Sequence, residues 1–114
     1  VGREYHLAAG EFDKAYIEYY SNGQISEVSN YKNGSREGEF LKYYKNSKLK
    51  EKGQYENDEA VGHHFEYYSN GTMKSDKKFL KGVLHGESKF YSKSGNLVLT
   101  RYYYNGDLIS EKSA

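Results

Sequence analysis

Apolar and polar positions in this chain alternate with a period of two, the signature of strands and not of an amphipathic helix. Phe40-Leu41-Lys42-Tyr43-Tyr44-Lys45 is rich in aromatic residues and bounded by turn formers, the composition of a strand. Asn22-Gly23 and Asn70-Gly71 are hairpin signals, because both residue types tolerate positive φ. The strand after such a turn, Leu49 to Tyr55 for example, ends in a second turn tract: Asn33-Gly34 in one stretch, Asn57-Asp58 in the next. A loop with glycine at both ends, Gly34-Ser35-Arg36-Glu37-Gly38, then leads into the following strand. No proline interrupts any of these segments, consistent with strands that need their N–H groups.

The pattern repeats every 24 residues. Tyr19-Tyr20-Ser21-Asn22-Gly23 returns as Tyr43-Tyr44-Lys45-Asn46-Ser47, as Tyr67-Tyr68-Ser69-Asn70-Gly71 and, worn, as Tyr91-Ser92-Lys93-Ser94-Gly95. An aromatic column (Tyr31, Tyr55, Phe79, Tyr103) and an aliphatic one (Ile25, Leu49, Met73, Leu97) keep the same step. Three glycine registers account for 10 of the 12 glycines: one through Gly10, Gly34, Gly82 and Gly106, one through Gly38, Gly62 and Gly86, one through Gly23, Gly71 and Gly95. Residues 1–114 therefore read as one repeat domain, with units at about 7–30, 31–54, 55–78 and 79–102 and a partial unit at each end. Each unit is a pair of antiparallel strands. The fold class predicted is all-β: an open, single-layer antiparallel meander of about nine strands built from hairpin repeats of about 24 residues.

Which face a side chain takes depends on the hairpin loop. A two-residue loop at Asn46-Ser47 sets Tyr44 opposite Leu49; a three-residue loop with a bulge at the glycine position sets Tyr43 there. The second is favoured. It places Ile17, Leu41 and Phe65, with Tyr19, Tyr43, Tyr67 and Tyr91, on the side expected to hold Leu49 and Tyr55. Tyr20, Tyr44 and Tyr68 then lie on the other side among Lys and Glu. Either loop predicts one richer aromatic face and one charged face. Glycines of the Gly38 register are expected to make room for a ring laid across the backbone.

Composition sharpens this picture. Leu, Ile, Val and Phe make up only 21 of 114 residues, low enough to raise the question of disorder. A net charge of +1 and 14 tyrosines answer it: aromatic rings carry the apolar surface. No helix with an apolar stripe is available to cover them, so rings must shelter against neighbours on their own face, each cross-strand pair contributing about 0.2–1 kcal/mol. With no cysteine, disulfide scaffolds, thiolate metal sites and cysteine nucleophiles are excluded. No apolar run approaches the ~18 residues of a transmembrane helix. Val1 opens without a charged or apolar leader, so no signal peptide is expected in this form. A cytoplasmic location is favoured, an extracytoplasmic one holding if an upstream signal was removed.

The unit Tyr-x-Asn-Gly-x-x-x-Gly, four residues, then Tyr-Tyr-x-Asn-Gly-x-Leu resembles the MORN repeat in its bacterial variant form. Residues 31–49 are the clearest copy, with Tyr31, Asn33, Gly34, Gly38, Tyr43, Tyr44, Asn46 and Leu49 in place and Ser47 at the turn glycine. Departures are Lys14 for a glycine in the first unit, Asp58 in the third and Ser92 for a tyrosine in the fourth. Proteins made only of this variant resemble the YwqK-type antitoxin family, which implies neutralisation of a toxin by binding. MORN repeats also accompany plant phosphatidylinositol-phosphate kinases. Nothing here matches a kinase: no phosphate-cradling GxxxxGK[ST] and no GxGxxG after a strand is present.

His63-His64 and His85 are the candidates for metal or acid–base work. Adjacent histidines on a strand point to opposite faces, and His64 occupies the column of Tyr16 and Phe40, so packing is the favoured role. No catalytic, metal or cofactor residue is assigned, no cofactor is expected, and enzyme activity is not expected. Charge is uneven: residues 1–30 carry −3, 31–54 carry +4, 55–78 carry −2 and 79–102 carry +3. The basic spot with Lys45, Lys48 and Lys50, next to Tyr20, Tyr44 and Tyr68, forms the candidate partner-binding set. A protein partner, such as a cognate toxin, is the first expectation. A scaffold segment of a longer array comes second, and peripheral binding of anionic, phosphoinositide-like lipid is a further alternative. The acidic units interrupt the basic stripe and disfavour nucleic acid. Edge strands at the sheet's ends invite homodimerisation.

Overall fold

The computed structural model describes the backbone of residues 3–7 and 13–114 and the side chains from residue 15 onward. Gly10 and the start of the first unit, 8–12, lie outside the described residues. The strands are β1 (Arg3–Leu7), β2 (Asp13–Tyr19), β3 (Ile25–Lys32), β4 (Ser35–Arg36), β5 (Gly38–Tyr43), β6 (Leu49–Glu56), β7 (Glu59–Tyr67), β8 (Met73–Leu80), β9 (Val83–Tyr91), β10 (Leu97–Tyr104) and β11 (Asp107–Ser113). They form one antiparallel sheet in chain order, with the short β4 pairing only with β3. The described chain is thus an all-β open meander of hairpin repeats. Eleven strands exceed the nine expected, because β1 adds a strand at the start and a break at Glu37 splits β4 from β5.

Two kinds of turn alternate. At one edge, Asn33-Gly34, Asn57-Asp58, Lys81-Gly82 and Asn105-Gly106 all have positive φ at both residues, the two-residue turn whose twist matches the strands. At the other edge the loop is the three-residue form. Tyr44 N–H donates to the Lys48 carbonyl at 2.8 Å, Ser47 N–H donates to the Tyr44 carbonyl at 2.9 Å, and Ser47 takes the left-handed φ of 69°. The equivalent loops after Tyr20, Tyr68 and Ser92 close in the same way with glycine at the left-handed position.

A second irregularity follows directly and overturns part of the predicted face assignment. Tyr43 pairs with Leu49, as the three-residue loop requires, but Lys42 pairs with Glu51, leaving Lys50 as an extra residue. Ser26, Lys74 and Val98 are extra at the same place in the other hairpins. This bulge moves the rest of the strand to the opposite face. Leu49 stays with Leu41 and Tyr43, whereas Tyr55 joins Phe40. The prediction of one aromatic and one charged face fails for the same reason. Both faces mix rings and ion pairs: Lys42–Glu51 (3.5 Å) lies on the Phe40 face and Lys52–Glu39 (3.7 Å) on the Leu41 face.

On the Phe40 face the rings form a chain. Phe40 lies 5.3 Å from Tyr55 and 5.4 Å from His64, and His64 lies 4.6 Å from Phe79, centroid to centroid. Among the described residues Phe40 is the one buried hydrophobic side chain, at 7% exposure. The most deeply buried side chains are the small ones, Ser29, Ser75 and Ser88, beneath larger neighbours.

The glycine that admits a ring is Gly53, not the Gly38 register. A Cβ on Gly53 would meet His64 Nδ1 at 2.5 Å and Phe40 Cε1 at 2.6 Å. Gly38, Gly62 and Gly86 serve another purpose: their φ values of 92°, 69° and 92° let the strand bulge, and nothing lies within 4 Å of a Cβ at Gly62.

Candidate functional site

The six candidate partner-binding residues come together along the edge formed by the three-residue loops. Tyr20, Tyr44 and Tyr68 are half-buried there, while Lys45, Lys48 and Lys50 are exposed. Each tyrosine hydroxyl donates to a carbonyl in the next repeat: Tyr20 to Tyr43 at 2.5 Å, Tyr44 to Tyr67 at 2.6 Å, Tyr68 to Tyr91 at 2.7 Å. The loop asparagines run parallel. Asn46 Oδ1 accepts from Lys48 N–H at 2.9 Å, while its Nδ2 donates to the Ser69 carbonyl of the next loop at 3.2 Å. Asn70 does the same with Thr72 and Lys93. The Tyr-Tyr-x-Asn signature thus lashes each hairpin to the following one. Ser92, where the tyrosine is missing, keeps its hydroxyl within its own turn, 2.9 Å from Ser94 Oγ.

The opposite edge is laced toward the preceding repeat mainly by backbone, with Asp58 Oδ1 also accepting from Arg36 N–H at 2.7 Å. Asp58, Gly82 and Gly106 N–H groups donate to the carbonyls of Arg36, Ala60 and Leu84 at 3.0, 2.9 and 2.7 Å.

Lysine ammonium groups sit over the tyrosine rings: Lys45 Nζ 6.0 Å from the Tyr20 centroid, Lys50 5.6 Å from Tyr44, Lys74 5.8 Å from Tyr68. Lys50 and Lys74 occupy the bulge position, which turns their stems back over the ring. Where Ser26 stands at that position, Lys45 of the next loop covers Tyr20 instead. Lys74 is missing from the candidate set because its hairpin's second lysine position holds threonine, so sequence density alone overlooks it.

The histidines do not converge. His64 packs in the ring chain, with Nε2 3.0 Å from the Gln54 carbonyl oxygen. Burial pulls its pKa below the ordinary value, outweighing the Gln54 carbonyl, which favours the charged form. His63 faces the other way, stacked on Phe65 at 5.8 Å with Nδ1 2.7 Å from Asp76 Oδ1. His85 lies against Tyr104 at 5.2 Å and accepts from Asn105 N–H at 3.1 Å. Among the described residues no three His, Asp or Glu side chains are placed to hold a metal ion.

An open groove of about 460 Å³ runs over Gly53 and Gly62 between Lys52, Val61, His63 and Phe65. A second of about 290 Å³ adjoins it between His63, Asp76, Lys78 and Lys89. The bulge glycine Gly62 lines the first and Gly86 the second. The His63–Asp76 pair had no signal in the sequence, since the two residues meet only through the register of β7 and β8.

Comparison with known proteins adds one positive result. Residues 12–33, 36–57 and 84–100 match the family model of the MORN repeat variant. No curated protein matches the chain. The third hairpin, β7 with β8, falls outside the matched segments but has the same loop bonds and bulge. With more than half of its residues matched, and the matched segments falling on strand pairs of the sheet, the chain belongs to the MORN-repeat family in its variant form.

Proposed function

We propose that this chain is a non-enzymatic binding module whose partner is a protein, and that it acts as an antitoxin or immunity-type neutraliser. The observation that carries this reading is the uncovered sheet. Both faces keep half-exposed rings, with no second layer to occupy them among the described residues. Phenol rings of this kind are the side chains that protein interfaces favour, because they bring area, a hydroxyl and few rotamers to freeze. The titratable groups that chemistry would need are engaged in packing instead: His64 in the ring chain, His63 on Asp76, His85 on Tyr104.

Neutralisation follows from coverage: a sheet that buries a toxin's working surface needs no chemistry of its own. The test is co-expression with the product of the neighbouring gene. Rescue of growth together with co-purification of the pair supports the reading. Neither rescue nor a complex overturns it. A spacer role in a longer array has its own support, since the same lacing bond recurs three times along each edge. Flanking repeats in the parent gene favour that reading.

A further inference from the structure

Charge on the sheet is segregated by edge in a way the net value of +1 conceals. The four segments 19–26, 43–50, 67–74 and 91–98 that form the three-residue-loop edge contain five lysines, Lys45, Lys48, Lys50, Lys74 and Lys93, and no Asp or Glu. On the sheet faces, by contrast, lysines stand beside carboxylates: Lys42 by Glu51, Lys52 by Glu39, Lys77 by Glu66. Among the described residues none of the five edge lysines forms an ion pair within 4 Å of a carboxylate, although Lys74 is near enough to Glu66 to help lower its pKa.

Three of the five are also held in place, with Nζ over the rings of Tyr20, Tyr44 and Tyr68. A ring face attracts an ammonium without neutralising it. The cations therefore remain available to an anion, and part of the ordering cost of binding has been met in the free protein. Successive hairpins along the edge are two strand spacings apart, about 10 Å. A chain in the extended polyproline II conformation advances ~3.1 Å per residue with three residues per turn, so carboxylates at every third position stay on one side, ~9 Å apart, and keep step with the hairpins.

We propose that this edge docks an extended acidic segment of a protein partner, running across the strands with its carboxylates on Lys48, Lys50, Lys74 and Lys93. The proposal rests on the protein-binding reading above and names where and what that partner contacts. A membrane is the poorer fit: the cations form a line along the rim of a single layer, whereas a bilayer offers a plane. Single-stranded nucleic acid is poorer too. Bases need open ring faces to stack on, and these rings are already capped by ammonium groups and tied by their hydroxyls to the next repeat.

The probe is a fluorescein-labelled peptide of about 12 residues with Glu at every third position between Gly and Ser, read by fluorescence anisotropy at low and high salt. Binding that weakens with salt and falls at least about tenfold in K48Q/K74Q/K93Q supports the proposal. The control K42Q/K52Q/K77Q removes equal charge from the faces and should stay within about twofold. Circular dichroism melts confirm that both variants fold. Equal losses in the two triple variants overturn the proposal, because they show attraction to net charge alone. Binding to phosphatidylserine vesicles or oligodeoxythymidylate with none to the peptide also overturns it. A peptide that fails while the toxin complex still forms overturns this docking strip and leaves the protein-binding reading standing.

Discussion

The hydroxyl of Tyr44 donates to the backbone carbonyl of Tyr67, 2.6 Å away in the next hairpin. Tyr44→Phe keeps the ring and its lysine cap but deletes this bond. The expected loss is about 1 kcal/mol, a fall of roughly 4–8 °C in melting temperature for a domain of this size. Tyr20→Phe and Tyr68→Phe should cost about as much, since their hydroxyls make the same bond. An unchanged Tm in all three would remove the hydroxyl from the account of how repeats hold together.

Gly53 lies under two rings, so Gly53→Ala drives a methyl into His64 and Phe40. Overpacking of this kind costs about 1–3 kcal/mol. Combining it with His64→Ala should restore part of that loss relative to His64→Ala alone, because the clashing ring is gone. Additive melting shifts would show that the rings move aside freely.

Among the described residues Phe40 is the most enclosed ring, between Tyr55 and His64. Phe40→Ala should destabilise by about 3 kcal/mol, while Lys45→Ala on the exposed loop should stay within about 0.5 kcal/mol. Chemical denaturation of the two variants distinguishes them. Similar midpoints would argue against a ring-based core.

His64 links stability to pH. Its folded pKa is lowered by burial, while the unfolded chain titrates near its ordinary ~6.5. The unfolded state therefore binds the proton more readily. Stability is complete above the unfolded value and falls as pH drops through it toward the folded one. Glu66 acts in a separate, more acid window. Burial alone would raise its pKa, but the Ser75 hydroxyl and Lys77 outweigh it and hold the carboxyl below its ordinary value. Its contribution is lost only as pH falls below the usual carboxylate range. Melting temperatures between pH 7.5 and 5.5 should decline in the native chain and decline less in His64→Phe. Parallel curves would show that His64 does not titrate differently in the folded state.

The loop asparagines, the paired tyrosines and the glycines of the turns each dictate φ or a hairpin closure over five or six residues, and their meaning survives without knowing what lies alongside. Three-residue loops, and with them the pairing of Tyr43 with Leu49, are therefore favoured in advance over the two-residue alternative, and the structure has them after Tyr20, Tyr44 and Tyr68. The bulge at Lys50 is not: its position holds serine, lysine twice and valine (Ser26, Lys50, Lys74 and Val98), so no one residue type announces it. That one extra residue carries Tyr55 to the Phe40 face. Gly53 offered a faint sign by standing outside every glycine register, but its reason is a pair of rings, Phe40 and His64, from the strands on either side.

The candidate edge divides in the same manner. Lys45, Lys48 and Lys50 are dense enough in the chain to be noticed; Lys74 and Lys93 join them only when hairpins line up. The sequence by itself determined the repeat, the turn chemistry and the lack of an amphipathic helix to cover the described strands, because these depend on local dihedral preference and composition. Faces, lysine-capped rings and the one-signed rim were decided by the sheet, because side-chain direction in a strand is a parity that any single bulge reverses.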